Sequence, residues 1–282
     1  MEDRDPQSSA AHPATRIIER LAWLEGSFVQ GEREIPEEMP VALSYNRVSH
    51  AVMMASPLDL EDFALGFSLS EEIVRSPDEI EELELFTVPG AEGEPPRGVE
   101  LRLWIGEERM RGLDRRRRHI AGPTGCGLCG LESLDAALRP LRPVPEGRRY
   151  TASQVQEAVA SLRPAQALNR RTHAVHAAGF WTEADGLVAV REDVGRHNAL
   201  DKLHGALAAR RTDLAQGILV MTSRISVELV QKAAIMGAPM LAAVSAPTAL
   251  ALRMAEQAGI TLIAVARDDG FELCSGRHRV VA

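Results

Sequence analysis

Three short, almost wholly apolar runs punctuate the last third of the chain, at residues 217–221, 240–245 and 260–266. A strand that is apolar on both sides has no face for water, so it belongs inside a sheet covered above and below. Helical periodicity fills the gaps, at residues 226–236 and 246–258. Strand, helix, strand, helix, strand predicts parallel strands joined by crossovers. Upstream, residues 173–181 and 187–191 read as a strand pair, followed by a helix over 194–209. The fold class is α/β, a sheet covered by helices.

In such a sheet, ligands collect beyond the carboxyl ends of the strands. Those ends carry Thr222-Ser223-Arg224, Ser245-Ala246-Pro247-Thr248 and Arg267-Asp268-Asp269-Gly270, all rich in polar groups suited to a nucleotide. No internal repeat is visible.

The first half is mixed. Residues 1–15 are polar and predict a disordered tail, with neither a signal peptide nor a run of membrane-spanning length. Residues 16–40 alternate short apolar runs with charges. Residues 41–45 and 50–55 predict two strands about a turn at Asn46-Arg47. Ser56 and Asp59 offer caps to a helix over 58–74, and residues 83–88 and 99–105 predict a second strand pair. The expected units are the tail, a smaller α/β region at 16–121, a mobile loop and proline-stiffened linker at 122–150, and the main α/β domain at 151–282. Within the linker unit, residues 131–138 predict a short helix. Thr151-Ala-Ser-Gln154 has the pattern of a capping box.

A net charge of −8 argues against a protein that coats nucleic acid or anionic membrane. Three cysteines are too few and too odd in number for a disulfide framework, which predicts reduced thiols in a cytoplasmic protein. Two of them lie in Gly122-Pro-Thr-Gly-Cys126-Gly-Leu-Cys129-Gly130, where glycine at every other step frees the backbone. The arginines at 109, 111 and 115–118 lead into this loop and favour thiolate or an anionic ligand.

Several chemistries compete for that loop. Structural zinc needs four ligands, and no second paired-cysteine motif exists. A zinc deaminase needs an H-x-E motif before its cysteines, and none is present. A thioredoxin-like pair opens a helix early in a small domain, unlike this one. Sulfur transfer needs an exposed, low-pKa thiol on an arm that visits two partners, and the loop is suited to it. A second constellation, Arg191-Glu-Asp193-Val-Gly-Arg-His197-Asn-Ala-Leu-Asp201-Lys202-Leu203, packs acids, bases and an imidazole into a strand-to-helix turn. There Asp193 is placed to cap the helix, and His197 and Asp201 share a face at i, i+4.

Together these stretches resemble the formate dehydrogenase accessory sulfurtransferase family, FdhD. The resemblance rests on Pro40-Val-Ala-Leu-Ser-Tyr-Asn46, Ala51-Val-Met-Met-Ala-Ser-Pro57 with Phe63-Ala-Leu-Gly-Phe-Ser-Leu-Ser70, the paired-cysteine loop, the Glu192–Leu203 constellation, and Ser223-Arg224 with Val230-Gln-Lys232. It implies a fold similar to cytidine deaminase without its zinc, and pairing as a homodimer. It further implies a sulfurtransferase that takes sulfur from a cysteine desulfurase as a persulfide. The sulfur passes to the bis-molybdopterin guanine dinucleotide molybdenum cofactor of formate dehydrogenase, bound as a client rather than tightly held, with GDP or GMP as its mimic. By motif, Cys126 would carry the persulfide and Cys129 would assist. Val265, Ala266, Arg267, Asp268, Asp269 and Gly270 match the cofactor-binding segment. That segment departs from the family pattern at Asp268-Asp269, where two added acids oppose phosphates. His197, Asp193 and Arg224 are placed at the guanine-dinucleotide pocket or its rim. A cofactor chaperone that carries no sulfur and a thiol-disulfide oxidoreductase are the alternative readings.

Overall fold

The structure is a computed structural model that describes residues 12–92, 94, 96–117, 141–267 and 269–281, with the side chains of 116 and 117 excepted. The cysteine loop with Cys126 and Cys129, the expected helix at 131–138, and Asp268 lie outside the described residues.

The chain opens with a hairpin that the charge-interrupted pattern of residues 16–40 did not disclose. Strands β1 (Thr15–Leu24) and β2 (Ser27–Pro36) pair antiparallel along their whole length, from Thr15 with Pro36 to Leu24 with Ser27. Thr15, assigned in the sequence to a tail, is its first residue. A four-stranded sheet follows, in the order β4 (Val48–Ala55), β3 (Met39–Tyr45), β6 (Gly98–Ile105), β5 (Ile80–Val88). Helices α1 (Leu60–Ser70) and α2 (Glu107–Arg117) add Phe63, Phe67 and Leu113 to the apolar side of that sheet, against Val41, Leu43, Leu101 and Leu103. The alternation at 99–105 is borne out in burial: the odd-numbered positions are buried and Glu100, Arg102 and Trp104 face outward.

The second sheet has six strands, ordered β13 (Gly270–Leu273), β12 (Thr261–Arg267), β11 (Met240–Ala243), β10 (Gly217–Met221), β8 (His176–Thr182), β9 (Gly186–Asp193). Only β10, β11 and β12 are parallel; β8, β9 and β13 run antiparallel to their neighbours. The three apolar runs are thus parallel, as their strand-helix-strand order predicts, and the pair expected at 173–181 and 187–191 forms. A short connection such as Thr182 to Gly186 can only return the chain as a hairpin.

Helix α3 (Ala152–Ala165) covers one face, with Val155, Ala158 and Leu162 on Trp181, Ile218, Val220 and Ile263. Its capping box forms as the sequence predicts. The short helix α4 (Ala167–Thr172) follows it. Helices α5 (Arg196–Ala209), α6 (Val227–Met236) and α7 (Ala249–Ala258) cover the other face through Leu200, Leu203, Leu229 and Ala255 on Leu219, Met221, Leu241 and Leu262. Adjacent strand residues thus serve opposite cores, which is why these runs are apolar throughout.

Two short strands complete the fold, β7 (Tyr150–Thr151) and β14 (Val280–Val281), paired in parallel. The described part of the linker is tied to the end of α7 and to the turn before β14: Val144 N donates to Ala258 O, and Arg279 donates to Pro145 O and Glu146 O. No helix among the described residues is long and apolar enough to cross a membrane.

The two halves meet where α1 crosses α5 at backbone contact. A Cβ on Gly66 would fall 1.7 Å from Asp201 O, and one on Gly205 would fall 2.0 Å from Asp62 O. Only glycine permits that approach, which accounts for Gly66 inside its apolar run.

Candidate functional site

The site is built where the amino ends of α5 and α6 open beside the carboxyl ends of the parallel strands. Helix α5 begins at Gly195 rather than being capped by Asp193, and α6 begins at Ser226; neither cap residue closes its helix with a side-chain bond. The helix dipole gives both ends a positive field, which the Glu228 carboxylate offsets in the first turn of α6.

Backbone contacts tie the loops after the three parallel strands together. Val244 N donates to Met221 O at 3.0 Å, Thr248 N to Ile225 O at 3.0 Å, and Val265 N to Ser245 O at 3.3 Å. At Val265 the strand bulges and φ is +49°, a left-handed conformation that costs a β-branched residue most. Strain of that kind collects at functional sites because surrounding contacts enforce it.

Asp193 is fully buried and saturated. One carboxylate oxygen accepts from Ser56 N at 2.9 Å and faces Lys202 Nζ at 2.7 Å; the other accepts from Gly195 N at 2.7 Å and Asn198 Nδ2 at 3.0 Å. Lys202 Nζ also donates to Ser56 O at 2.9 Å. Every Asp193 acceptor is spent on holding Ser56 and the start of α5. The carboxylate therefore organises the loop after β4 and the start of α5 and has no acceptor left over.

His197 sits in the first turn of α5, mostly buried, with Nε2 3.9 Å from Glu228 Oε2 on the first turn of α6. Burial, reinforced by the charges of Arg196 and Lys232, lowers the His197 imidazole to about 4, so it is neutral at pH 7. Burial pushes the Glu228 carboxyl up, yet the Ser226 hydroxyl, a backbone amide and the Arg196 charge leave it below its ordinary value. Arg196 Nε, His197 Nε2 and Glu228 Oε2 are buried atoms with no hydrogen-bond partner among the described residues. A polar ligand or ordered water would satisfy atoms left open in this way.

One turn further in, the same two helices repeat the pairing. Lys232 Nζ lies 2.8 Å from Asp201 Oδ1 and 3.3 Å from Glu71 Oε1. Burial works against the Lys232 charge, but Asp201 and Glu71 outweigh it and raise its pKa. His197 and Asp201 on α5 therefore face Glu228 and Lys232 on α6, each pair spaced i, i+4.

The other expected site residues divide. Arg224 is exposed on the loop that leads into Ser226. Of the 265–270 segment, Val265 touches the site-side loops and Ala266 is buried in the α3 core. Arg267 borders a groove of about 270 Å³ with Gln156, Glu157, Val159 and Ala160 of α3, across the sheet from α5 and α6. Asp269 is exposed in the turn before Gly270. Sequence reasoning missed Arg196 and Glu228. An acid in the first turn of α6 reads as ordinary dipole compensation, and only the facing of α5 and α6 gives it another meaning. No group of three His, Cys, Asp or Glu side chains among the described residues is placed to hold a metal ion.

The model of the FdhD/NarQ family matches residues 36–281. Among curated relatives, the sulfur carrier protein FdhD of Agrobacterium fabrum is 48% identical over 267 residues, covering 94% of this chain and 96% of its own. That of Cupriavidus necator is 47% identical over 288 residues, covering 98% and 94%. Among solved structures, a candidate formate dehydrogenase accessory protein from Desulfotalea psychrophila superposes with a TM-score of 0.76 at 22% identity, over 95% of this chain and all of that one. That likeness bears on the fold.

Proposed function

This chain belongs to the FdhD/NarQ family, and on that footing we propose that it is a sulfur carrier serving formate dehydrogenase. The observation that carries the reading is identity near 48% over nearly the whole length of proteins named as sulfur carriers. In this reading Cys126 thiolate attacks the terminal sulfur of a persulfide on a cysteine desulfurase. The donor's S–S bond breaks, a new one forms to Cys126, and the donor leaves as a thiolate. Arg109 is paired with Glu79 and Arg111 with Glu107, which leaves Arg115 as the described arginine nearest the loop in sequence, where a cation favours thiolate. The Cys126 persulfide then gives its outer sulfur to the molybdenum cofactor of formate dehydrogenase, here the substrate: the S–S bond breaks, Cys126 leaves as thiolate, and the acceptor supplies the two electrons that bring the sulfur to sulfide.

The geometry supports an anionic client. A bis-molybdopterin guanine dinucleotide carries diphosphates, and two open helix amino ends flanked by Arg196 and Arg224 supply amide donors and positive charge. Neutral His197 offers one donor and one acceptor, which suits a nucleotide edge or a phosphate oxygen. Asp193 and Lys202 hold this frame from below.

The test is reconstitution. Wild-type protein, desulfurase and cysteine should activate formate dehydrogenase produced without the carrier, and Cys126→Ala should leave it inactive while keeping its far-UV circular dichroism. A Cys126→Ala protein that still activates the enzyme would favour a cofactor chaperone. A Cys126–Cys129 disulfide that cycles with a dithiol and ignores guanine nucleotides would favour an oxidoreductase.

A further inference from the structure

A second imidazole, unused so far, borders the candidate site. His176 is the first residue of β8, and Asp193 is its partner in register on β9. Side chains alternate along a strand. Ala178 and Phe180, of the same parity as His176, pack in the core beneath α5, α6 and α7, whereas Ala177 faces α3. His176 therefore lies on the α5 side of the sheet. Because β8 runs antiparallel to β10, its start lies beside the end of β10. Ala177 N donates to Thr222 Oγ1 at 2.9 Å, and Thr222 N donates to Ala177 O at 3.1 Å. From there the chain continues into exposed Arg224.

His176 is half-buried, and neither ring nitrogen has a hydrogen-bond partner among the described residues. The carboxylate opposite cannot serve it. Both Asp193 oxygens are occupied, one by Ser56 N and Lys202 Nζ, the other by Gly195 N and Asn198 Nδ2. Arg196, three residues beyond Asp193, is open as well: its Nε is buried without a hydrogen-bond partner among the described residues. Its charge acts on the imidazole. Burial first, and then Arg196, lower His176 below its ordinary value, and Asp193 only partly opposes them. A neutral imidazole and an arginine thus share one corner of the site, each with a donor to give. The oxygens of an anion would satisfy both.

We propose that His176 is a further binding residue of this site, joining Arg196 on one phosphate group of the ligand. Inorganic phosphate and the diphosphate of a nucleotide offer it the same chemistry. This pairing presupposes the phosphate-bearing client proposed above and is independent of sulfur transfer. Its consequence is a proton. An anion between the two side chains cancels the repulsion that keeps the imidazole neutral, so His176 takes up a proton as the phosphate docks. The charged groups that act on His176 are Arg196 from α5 and Asp193 from β9, while the end of β10 brings uncharged Thr222.

Full-length protein is titrated calorimetrically with GDP, and separately with inorganic phosphate, at pH 6 and pH 8. Buffers of different ionisation enthalpy read the proton uptake. Wild type should bind GDP more tightly at pH 6 and take up a fraction of a proton. His176→Gln keeps a donor but cannot gain charge. It should lose about tenfold in affinity at pH 6, the scale of one charge-assisted hydrogen bond, and little at pH 8. Circular dichroism checks its folding, and His176→Asn is the second variant. In NMR spectra of wild type, the histidine ring signal missing from a folded variant should titrate at higher pH with GDP than without. Phosphate that displaces GDP from wild type and not from the variant would support a contact to the phosphate itself. A folded variant with wild-type affinity at pH 6 and wild-type proton uptake would overturn His176 while leaving the phosphate-bearing client in place. Wild type that binds neither GDP nor phosphate would overturn both, whatever sulfur Cys126 carries.

Discussion

Lys202 Nζ lies 2.7 Å from Asp193 Oδ2, and both side chains are completely buried at the seam between the two halves of the protein. Ser56, where β4 ends, closes the arrangement by donating its amide to Asp193 and accepting from Lys202 through its carbonyl. The pair therefore fixes the start of α5, and with it Arg196 and His197, to the first sheet. A buried charge that loses its partner is costly, so Asp193→Asn or Lys202→Met should destabilise the protein by about 3–5 kcal/mol. The Asp193→Asn/Lys202→Met double variant should cost less than the sum of the two. Urea unfolding at pH 7 measures all three, and strict additivity would show that the pair is not coupled.

The crossing of α1 on α5 gives a sharper steric expectation. Gly66→Ala places a methyl 1.7 Å from Asp201 O, a backbone atom that cannot swing aside. Separating two packed helices should cost about 3 kcal/mol or more, at the upper end of overpacking penalties. Gly26→Ala meets nothing within 4 Å but has φ of +86°, so its smaller cost reports backbone strain alone. Thermal unfolding of the two variants separates the effects.

Stability should also depend on pH through His197. Its folded pKa of about 4 lies below the ordinary 6.5, so the unfolded chain binds the proton more readily. The contribution is complete above pH 6.5, declines as pH falls, and is gone below about pH 4. Its ceiling is roughly 3 kcal/mol, from a shift of a few pKa units at 1.36 kcal/mol each. Buried His204, lowered to about 3 by burial and then Lys232, acts in the same direction. Urea midpoints at pH 7.5 and 5 should differ less in His197→Gln than in wild type. An equal drop in both would remove His197 from the account.

If the α5 and α6 amino ends receive phosphates, Arg196→Ala should weaken GDP binding by about tenfold or more, the scale of one charge-assisted contact. Arg267→Ala, across the sheet beside α3, should change it little. Isothermal titration at two salt concentrations tests both, and a larger loss at Arg267 would move the site to the α3 groove.

The second sheet was legible because its strands are buried on both faces, so Ile218 and Leu219 are apolar for two different cores. The capping box at Thr151 was legible because it is local chemistry. The β1–β2 arm was not. Apolar residues on both faces of a solvated ribbon, with Glu19 and Arg20 between them, carry neither strand alternation nor helical period. Direction was hidden as well, since apolar content cannot tell antiparallel β8 from parallel β10. At the candidate site, Asp193 and His197 stand out as motif residues, but sequence cannot show that every Asp193 acceptor is occupied while His197 Nε2 has no hydrogen-bond partner among the described residues. Arg196 and Glu228 become a pair only through the packing of α5 on α6.

The central claim is that Cys126 carries sulfur. The protein is incubated with a cysteine desulfurase and cysteine, digested without reductant, and the peptide spanning residues 122–130 is weighed. A gain of one sulfur atom on Cys126 is expected, absent without desulfurase and absent from the same peptide of Cys126→Ala. A peptide that gains no sulfur on Cys126, while the desulfurase itself is loaded, would contradict it.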